Sequence, residues 1–448
     1  MPIEFLLDNF KSNLEKTAII WNDKEYDYEW LISRMAEAEA FIAGKGIIPG
    51  EVVALYGDFT PNSIAFLLAL IANRNIIVPF CWPQKERDFK KLEIAHVEKK
   101  ILIDVATDSY EYESHGRKVG HPLYSRLQEG SVPGLVLFTS GTSGAPKAAV
   151  HDFSKLLEKF KTKRKALRTA NFLLWDHWGG LNTLFHTISN CGVVLPTNSR
   201  QPEAICCFIE KYLIELLPVS PTFLNLLILS EAYKRFNLSS LKLITYGTEP
   251  MPPSTLAKSR LIFPDVKFQQ TYGLIELGVL RSKSKSDDSL WVKIGGEGFE
   301  TRIVNSILQI KAESAMLGYL NAPSPFTDDG YFITGDLVEQ DGDYIKILGR
   351  KSELINVGGE KVYPQEVEDI ILQFPGVCEV TVYGEKNPLL GNIVCAKILL
   401  DKGVEIDGFI PKVKAYCRSN LEKYKVPVKI QIVATPLYGD RFKKERQQ

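Results

Sequence analysis

Two hydrophobic periods alternate along most of this chain. Residues 28–42 carry apolar side chains at helical spacing, and the β-branched run 52–56 follows as a strand. Residues 63–72 are helical again, residues 75–80 a strand, and short strands return at 241–246 and 266–270. Strands alternating with amphipathic helices predict an α/β fold: a large N-terminal domain on mixed or parallel sheets with flanking helices. After Asp336 the texture changes. A turn at 341–344, a strand at 345–348, a helix at 364–373, strands at 377–383 and 393–399 and a helix at 408–421 predict a small, mobile α+β C-terminal domain. The expected division is 1–349 and 350–448, with the joint near 349–352.

Three of the N-terminal strands break into small or polar residues at their carboxyl ends. Residues 135–138 run into Thr139-Ser-Gly-Thr-Ser-Gly, 241–246 into Gly247-Thr-Glu-Pro, and 266–270 into Thr271-Tyr-Gly. Ligands in open α/β sheets bind beyond the carboxyl ends of the strands. Any one of these loops reads as a tight turn; together they are candidate walls of one site.

Composition narrows the classes. The chain has 448 residues, 54 basic and 54 acidic side chains, and a formal net charge of zero. That balance argues against a nucleic-acid partner held by bulk electrostatics. The longest apolar run, 64–72, is far below the roughly 20 residues of a membrane span. Met1-Pro-Ile-Glu-Phe5 lacks the basic and apolar regions of a secretory signal. Seven scattered cysteines without a Cys-x-x-Cys pair suggest reduced thiols, so a cytoplasmic location is expected. His151 and His186 read as packing or surface residues, and 282–289 as a polar loop.

The segment Thr139-Ser140-Gly141-Thr142-Ser143-Gly144-Ala-Pro-Lys147 carries the strongest chemistry. Its glycines let backbone N–H groups turn toward an anion, and its hydroxyls and lysine add donors and charge. No Gly-Lys-Ser/Thr follows the glycines, so it is not a Walker loop. It resembles the phosphate loop of the ANL superfamily of adenylate-forming enzymes: acyl- and aryl-CoA synthetases, adenylation domains and luciferases. Further motifs of that family follow in order along the chain, nearest the acyl-CoA synthetase branch.

The resemblance implies a role for each of these motifs. By it, Gly247-Thr248-Glu249-Pro250 and Thr271 lie beside adenine. In Tyr272-Gly273-Leu-Ile-Glu276 the tyrosine stacks on the base and Glu276 holds Mg2+; Ile275 replaces the family's usual threonine. Asp336 and Arg350 take the ribose hydroxyls, where two carboxylate oxygens suit a vicinal diol. Trp175-Asp-His177-Trp-Gly179-Gly180 borders the acyl pocket. Residues 349–352 are the joint, and Gly358 and Gly359 give passage to a pantetheine arm. The family's adenylation lysine lies in a Gly-Lys-x-x-Arg tail. Here the tail is Gly439-Asp-Arg-Phe-Lys443-Lys444-Glu-Arg446, so counting from the glycine puts Asp440 at that place. Lys443, ahead of Lys444, is the expected catalytic lysine, and a solvated basic tail is the competing reading.

The implied reaction uses ATP and Mg2+. A small carboxylic acid attacks the α-phosphate, pyrophosphate leaves, and the acyl group passes to coenzyme A or the phosphopantetheine of an acyl carrier protein. Two alternatives stay open: an amino-acid ligase loading a carrier protein, for which Asp176 would pair with the amino group, and a non-catalytic relative that only holds nucleotide or acyl adenylate.

Overall fold

The computed structural model describes residues 2–446 apart from 87, 117–119, 140–145, 198, 297, 402, 440–442 and 445. Its N-terminal part is built on two seven-stranded sheets. In the first, Lys267–Gln270, Leu243–Tyr246, Leu216–Val219, Arg168–Asn171, Val193–Pro196 and Thr17–Trp21 run parallel, and Lys24–Asp27 closes the edge as a hairpin. In the second, Gly134–Thr139, Ile76–Cys81, Val52–Gly57 and Lys99–Ile103 are parallel, with antiparallel strands on both flanks. The expected α/β fold on mixed sheets is therefore present.

The helix Pro61–Ala72 shows why the two sheets stack. Its first eleven residues are all buried, so it has no polar face to give to water. Thr60 and Pro61 set its start. The helix contributes to one apolar cluster with Ile19 and Val194 of the first sheet and Val53, Leu55, Ile77 and Leu137 of the second. The helices Tyr28–Gly44 and Trp178–Ser189 share that core.

Residues 282–350 form a six-stranded antiparallel sheet, ordered Ser282–Ser284, Trp291–Ile294, Tyr344–Arg350, Phe332–Asp341, Ile307–Ala312, Phe299–Val304. This corrects two expectations. The change of texture begins well before Asp336, and the stretch read as the polar loop 282–289 opens with an edge strand. Its alternation was hard to see because only one face is covered, and polar side chains occupy the other.

The small C-terminal domain carries a five-stranded sheet of Glu360–Val362, Ile355–Val357, Gly391–Leu400, Val377–Asn387 and Lys429–Val433. The helices Pro364–Leu372 and Phe409–Asn420 pack on it around Val367, Ile371, Val380, Ile398 and Val413. Among the described residues no helix is long and apolar enough to cross a membrane.

Candidate active site

Parallel pairing of Leu216–Val219, Leu243–Tyr246 and Lys267–Gln270 brings three carboxyl ends into line, with Val219 opposite Tyr246 and Tyr246 opposite Gln270. Gly247 follows at the point of closest approach. A Cβ there would lie 2.5 Å from Thr271 Oγ1 and 2.7 Å from its carbonyl oxygen, so only glycine lets the two loops meet. Beyond these ends lies an open cavity of about 480 Å3. Its walls include Leu173, Trp178, Val219, Leu274, Ile275 and Val279, with the polar edge supplied by His177, Thr245, Thr248 and Thr271. Among the described residues, neither Lys, Arg, Asp nor Glu occurs in its lining.

His177 reaches this cavity as the N-cap of the Trp178–Ser189 helix, where Nδ1 accepts from the Gly179 N–H at 3.0 Å. Gly179 lines the cavity as well. Gly180, expected to border the acyl group, does not. A Cβ on it would come within 2.2 Å of the Leu174 carbonyl oxygen, so its glycine serves helix packing. Asp176 is also outside the lining. It sits by Cys81, whose thiol burial and that carboxylate push up to about 12.

Several of the residues expected on the nucleotide side gather at the edge of the second sheet. Gly134–Thr139 and Lys147–Asp152 pair antiparallel with Thr139 opposite Lys147, so the phosphate loop joins a hairpin, not a strand to a helix. Ser140, Gly141, Thr142, Ser143 and Gly144 lie outside the described residues. Lys147 Nζ stands 5.5 Å over the Tyr319 ring, and the Tyr319 hydroxyl donates to Glu276 Oε1 at 2.6 Å. That contact ties the loop's lysine to the glutamate. The other oxygen of Glu276 has no protein partner among the described residues.

Tyr272 is 6% exposed, and its hydroxyl donates to Asp336 Oδ2 at 2.6 Å. Most of its ring is thus packed in protein, leaving little open face for a base. The other Asp336 oxygen is 2.7 Å from Arg350 Nε. Burial pushes the Asp336 carboxyl above the usual range, against the opposing pull of Arg350 and Tyr272. Asp336 and Arg350 are opposite one another in a strand pair, so their proximity is built into the sheet register.

Glu249, expected beside adenine, spends its carboxylate elsewhere. It accepts from the Thr222 N–H at 2.8 Å and the Thr222 hydroxyl, and from the Lys444 N–H at 3.3 Å. The preceding Thr248 has φ +74°, a left-handed conformation that a β-branched residue rarely adopts. Pro250 leaves the loop toward the small domain and lines a cleft there.

The tail resolves the two lysines. Lys444 Nζ is 2.9 Å from Glu368 Oε2, and Arg446 bonds both oxygens of the same carboxylate and Glu353. Glu368 is fully buried. Burial alone would push its carboxyl up, but Arg446 and Lys444 overcome this and hold it at about 2. Lys443 has no carboxylate within ion-pair distance among the described residues. Its charge acts on Asp336, Arg350, Glu353 and Glu249; although the residue as a whole is exposed, loss of hydration at this contact and the neighbouring Arg350 lower its ammonium below the ordinary lysine value. Gly358 and Gly359, in contrast, form a hairpin turn whose hydrogen bonds, to Leu390 and Asn356, stay inside the small domain.

Residues 82–305 match the sequence model of the AMP-binding enzyme family, and residues 366–439 that of the AMP-binding enzyme C-terminal domain. The chain belongs to the AMP-binding enzyme family. It is 25% identical to an indoleacetate–CoA ligase of Aromatoleum aromaticum, over 93% of this chain and 91% of that one. It is also 25% identical to a feruloyl-CoA synthase of an Amycolatopsis species, with the same shares covered. The fold matches the crystal structure of the anthranilate CoA ligase AuaEII in complex with anthranoyl-AMP with a TM-score of 0.82, at 18% identity over 99% of this chain and 95% of that one. This AMP-binding enzyme is an AMP-forming acid–thiol ligase: it activates a carboxylic acid with ATP as the acyl adenylate, releases pyrophosphate and transfers the acyl group to a thiol.

Sequence reasoning missed several residues of the AMP-binding enzyme's site. Tyr319 lies in no motif; the two-residue strand Gly318–Tyr319 reaches Glu276 only because it pairs with Lys147–Asp152. Glu368 had no usable signal, but Arg446 did. Counted back from Arg446, Lys-x-x-Arg spacing selects Lys443, whereas counting from Gly439 selects Asp440.

Proposed function

We propose that this enzyme adenylates an aromatic or arylalkyl carboxylic acid without a second charged group and passes it to coenzyme A. The observation that carries this is the apolar cavity beyond Val219, Gly247 and Thr271, walled by Trp178, Ile275 and Val279 and free of charged side chains among the described residues. A second carboxylate or an ammonium group would lose its hydration there without gaining a partner. The amino-acid alternative has no such support, since Asp176 lies off the cavity. Relatives whose names carry indoleacetate, ferulate and 2-succinylbenzoate favour an acid with an aromatic ring and the coenzyme A acceptor; the exclusion of a second charge rests on the cavity alone.

In this reading the acid lies with its ring in the cavity and its carboxylate toward Thr248 and Thr271. Asp336 and Arg350 bind the ribose, and the loop from Thr139 to Lys147 binds the β- and γ-phosphates. One acid oxygen attacks the α-phosphorus as the bond to the pyrophosphate oxygen breaks. Lys443 offsets the charge that builds on the α-phosphate, with no general base required. Glu276 fits a magnesium site: one oxygen is steadied by Tyr319, the other is open, and such ions take phosphates and waters for their remaining ligands. The metal supplies charge neutralisation on the phosphates.

The small domain then turns about residues 349–352, with the boundary after residue 349, so that the loop at Gly358 and Gly359 can replace the tail beside the adenylate. Seven free thiols support a cytoplasmic setting. Acid-dependent ATP–pyrophosphate exchange tests the first step. Exchange with neutral aromatic acids is expected, and its absence across a broad panel would remove the assignment. Supplying coenzyme A and a phosphopantetheinylated carrier separately to a preformed adenylate tests the acceptor.

A further inference from the structure

The helix Pro253–Ile262 starts in a way that leaves it without a cap of its own. Its N-cap residue is Pro252 and its first residue is Pro253, so neither offers a side-chain acceptor to the first-turn N–H groups. The acceptor comes from the other domain. Asp369, on the helix Pro364–Leu372, takes the Ser254 N–H at 3.1 Å and the Ser254 hydroxyl at 2.6 Å on the same oxygen. A carboxylate also suits the positive end of a helix dipole.

Two other direct bonds join these surfaces among the described residues, apart from those of Arg350 at the joint. Asn225 Nδ2 donates to the Cys378 carbonyl at 3.0 Å, and Glu249 receives the Lys444 N–H at 3.3 Å. Between them lies a narrow cleft lined by Thr222, Asn225, Pro250, Leu372, Val380 and Leu437. Tyr438 also packs against the apolar core of the first sheet, so these polar anchors set the orientation of a contact that has apolar packing as well. The same orientation sets Lys443 within electrostatic reach of Asp336 and Arg350. Asp369 directly follows Glu368, which clamps the tail that carries Lys443.

We propose that Asp369 is a positioning residue for adenylation: by capping the Pro253–Ile262 helix across the domain contact, it holds Lys443 at the nucleotide site. Release of that cap accompanies the turn that admits the thiol. Asp369 touches neither nucleotide nor acid and acts through Lys443, so the inference rests on Lys443 being the adenylation lysine.

The full-length enzyme with Asp369→Ala, Asp369→Asn, Lys443→Ala and the Asp369→Ala/Lys443→Ala pair separates these roles. Two rates are read: acid-dependent ATP–pyrophosphate exchange, and acyl transfer from supplied acyl-AMP to coenzyme A. Loss of a cap predicts a fall of about five- to tenfold in exchange kcat for Asp369→Ala, with KM for ATP and acid unchanged and transfer not slowed. Asp369→Asn keeps the acceptor oxygen and restores exchange. In the Lys443→Ala background, Asp369→Ala costs nothing further. Wild-type exchange in Asp369→Ala, an equal fall in both rates, or a full additional loss without Lys443 would overturn the proposal. Full exchange in Lys443→Ala alone would instead remove the reading of that lysine.

Discussion

The candidate acid cavity and the tail junction are both lined by residues far apart in sequence, but they are held in opposite ways. One side of the cavity is fixed by parallel strands of the first sheet, whose register aligns Val219, Tyr246 and Gln270 and where glycine at 247 lets two loops touch. The junction has no shared sheet. It depends on ion pairs around Glu368, on Glu249 receiving the Lys444 N–H and on one helix cap from Asp369. In the proposed reaction, a site that recognises one acid benefits from a rigid wall, and a site that exchanges a lysine for a thiol benefits from contacts that can be undone singly.

That contrast breaks most sharply at Lys443. Replacing it by alanine is expected to lower pyrophosphate exchange by roughly two to three orders of magnitude, while acyl transfer from supplied acyl-AMP persists. Equal loss in both would make the residue structural.

Next in size is Glu368→Gln. It removes the negative charge that Lys444 and Arg446 share and is expected to cost about 3 kcal/mol in docking of the tail, read as protease sensitivity of the tail and loss of exchange. The acid cavity should be untouched, so binding of a non-hydrolysable acyl-AMP mimic through its acyl part should persist. The sign with pH is definite. The folded Glu368 carboxyl is held down at about 2, so its contribution is present above the ordinary glutamate range and is lost only as pH falls toward 2. Docking should therefore survive mild acid.

Gly247→Ala attacks the rigid side. The added Cβ would meet Thr271, forcing the two loops apart, and exchange should fall about tenfold with a raised KM for the acid. An unchanged KM would mean the cavity is not the acid site.

A smaller effect is expected in the pH profile. Loss of hydration and Arg350 lower the Lys443 ammonium below 10.5, so adenylation should decline on the alkaline side before an ordinary lysine would titrate. Lys443→Arg should carry that limb to higher pH. Smallest is Ile275→Thr, which puts back the hydroxyl usual in this family. Ile275 lines the cavity and packs against two hydrophobic clusters, so the change should weaken acid binding by about 1 kcal/mol and leave KM for ATP alone.

Much of the rigid half could be read from sequence because local signals and tertiary role coincide there. The strands expected at 241–246 and 266–270 begin within two residues of the observed starts, and their glycine and threonine ends do form the cavity edge. The strand at 135–138 had the same appearance but belongs to the other sheet and turns back as a hairpin, a choice set by long-range pairing with Lys147–Asp152. His177 and Gly179 line the cavity, whereas at Gly180 a Cβ would meet a neighbouring carbonyl. The junction was less legible. Tyr319 on Glu276, Glu249 on Thr222 and Asp369 on Ser254 each join segments tens to more than a hundred residues apart. No periodicity or spacing encodes such pairs. Only the choice of Lys443 over Lys444 had a sequence counterpart, in the distance to Arg446.

The loop that first marked the chain, Thr139 to Lys147, carries the resemblance to adenylate-forming enzymes, whereas the proposed choice of acid rests on the cavity. Acid-dependent ATP–pyrophosphate exchange over matched neutral aromatic, dicarboxylic and amino acids addresses it most directly. Exchange confined to the neutral aromatic and arylalkyl acids is predicted, and preference for a doubly charged or amino acid would contradict the account.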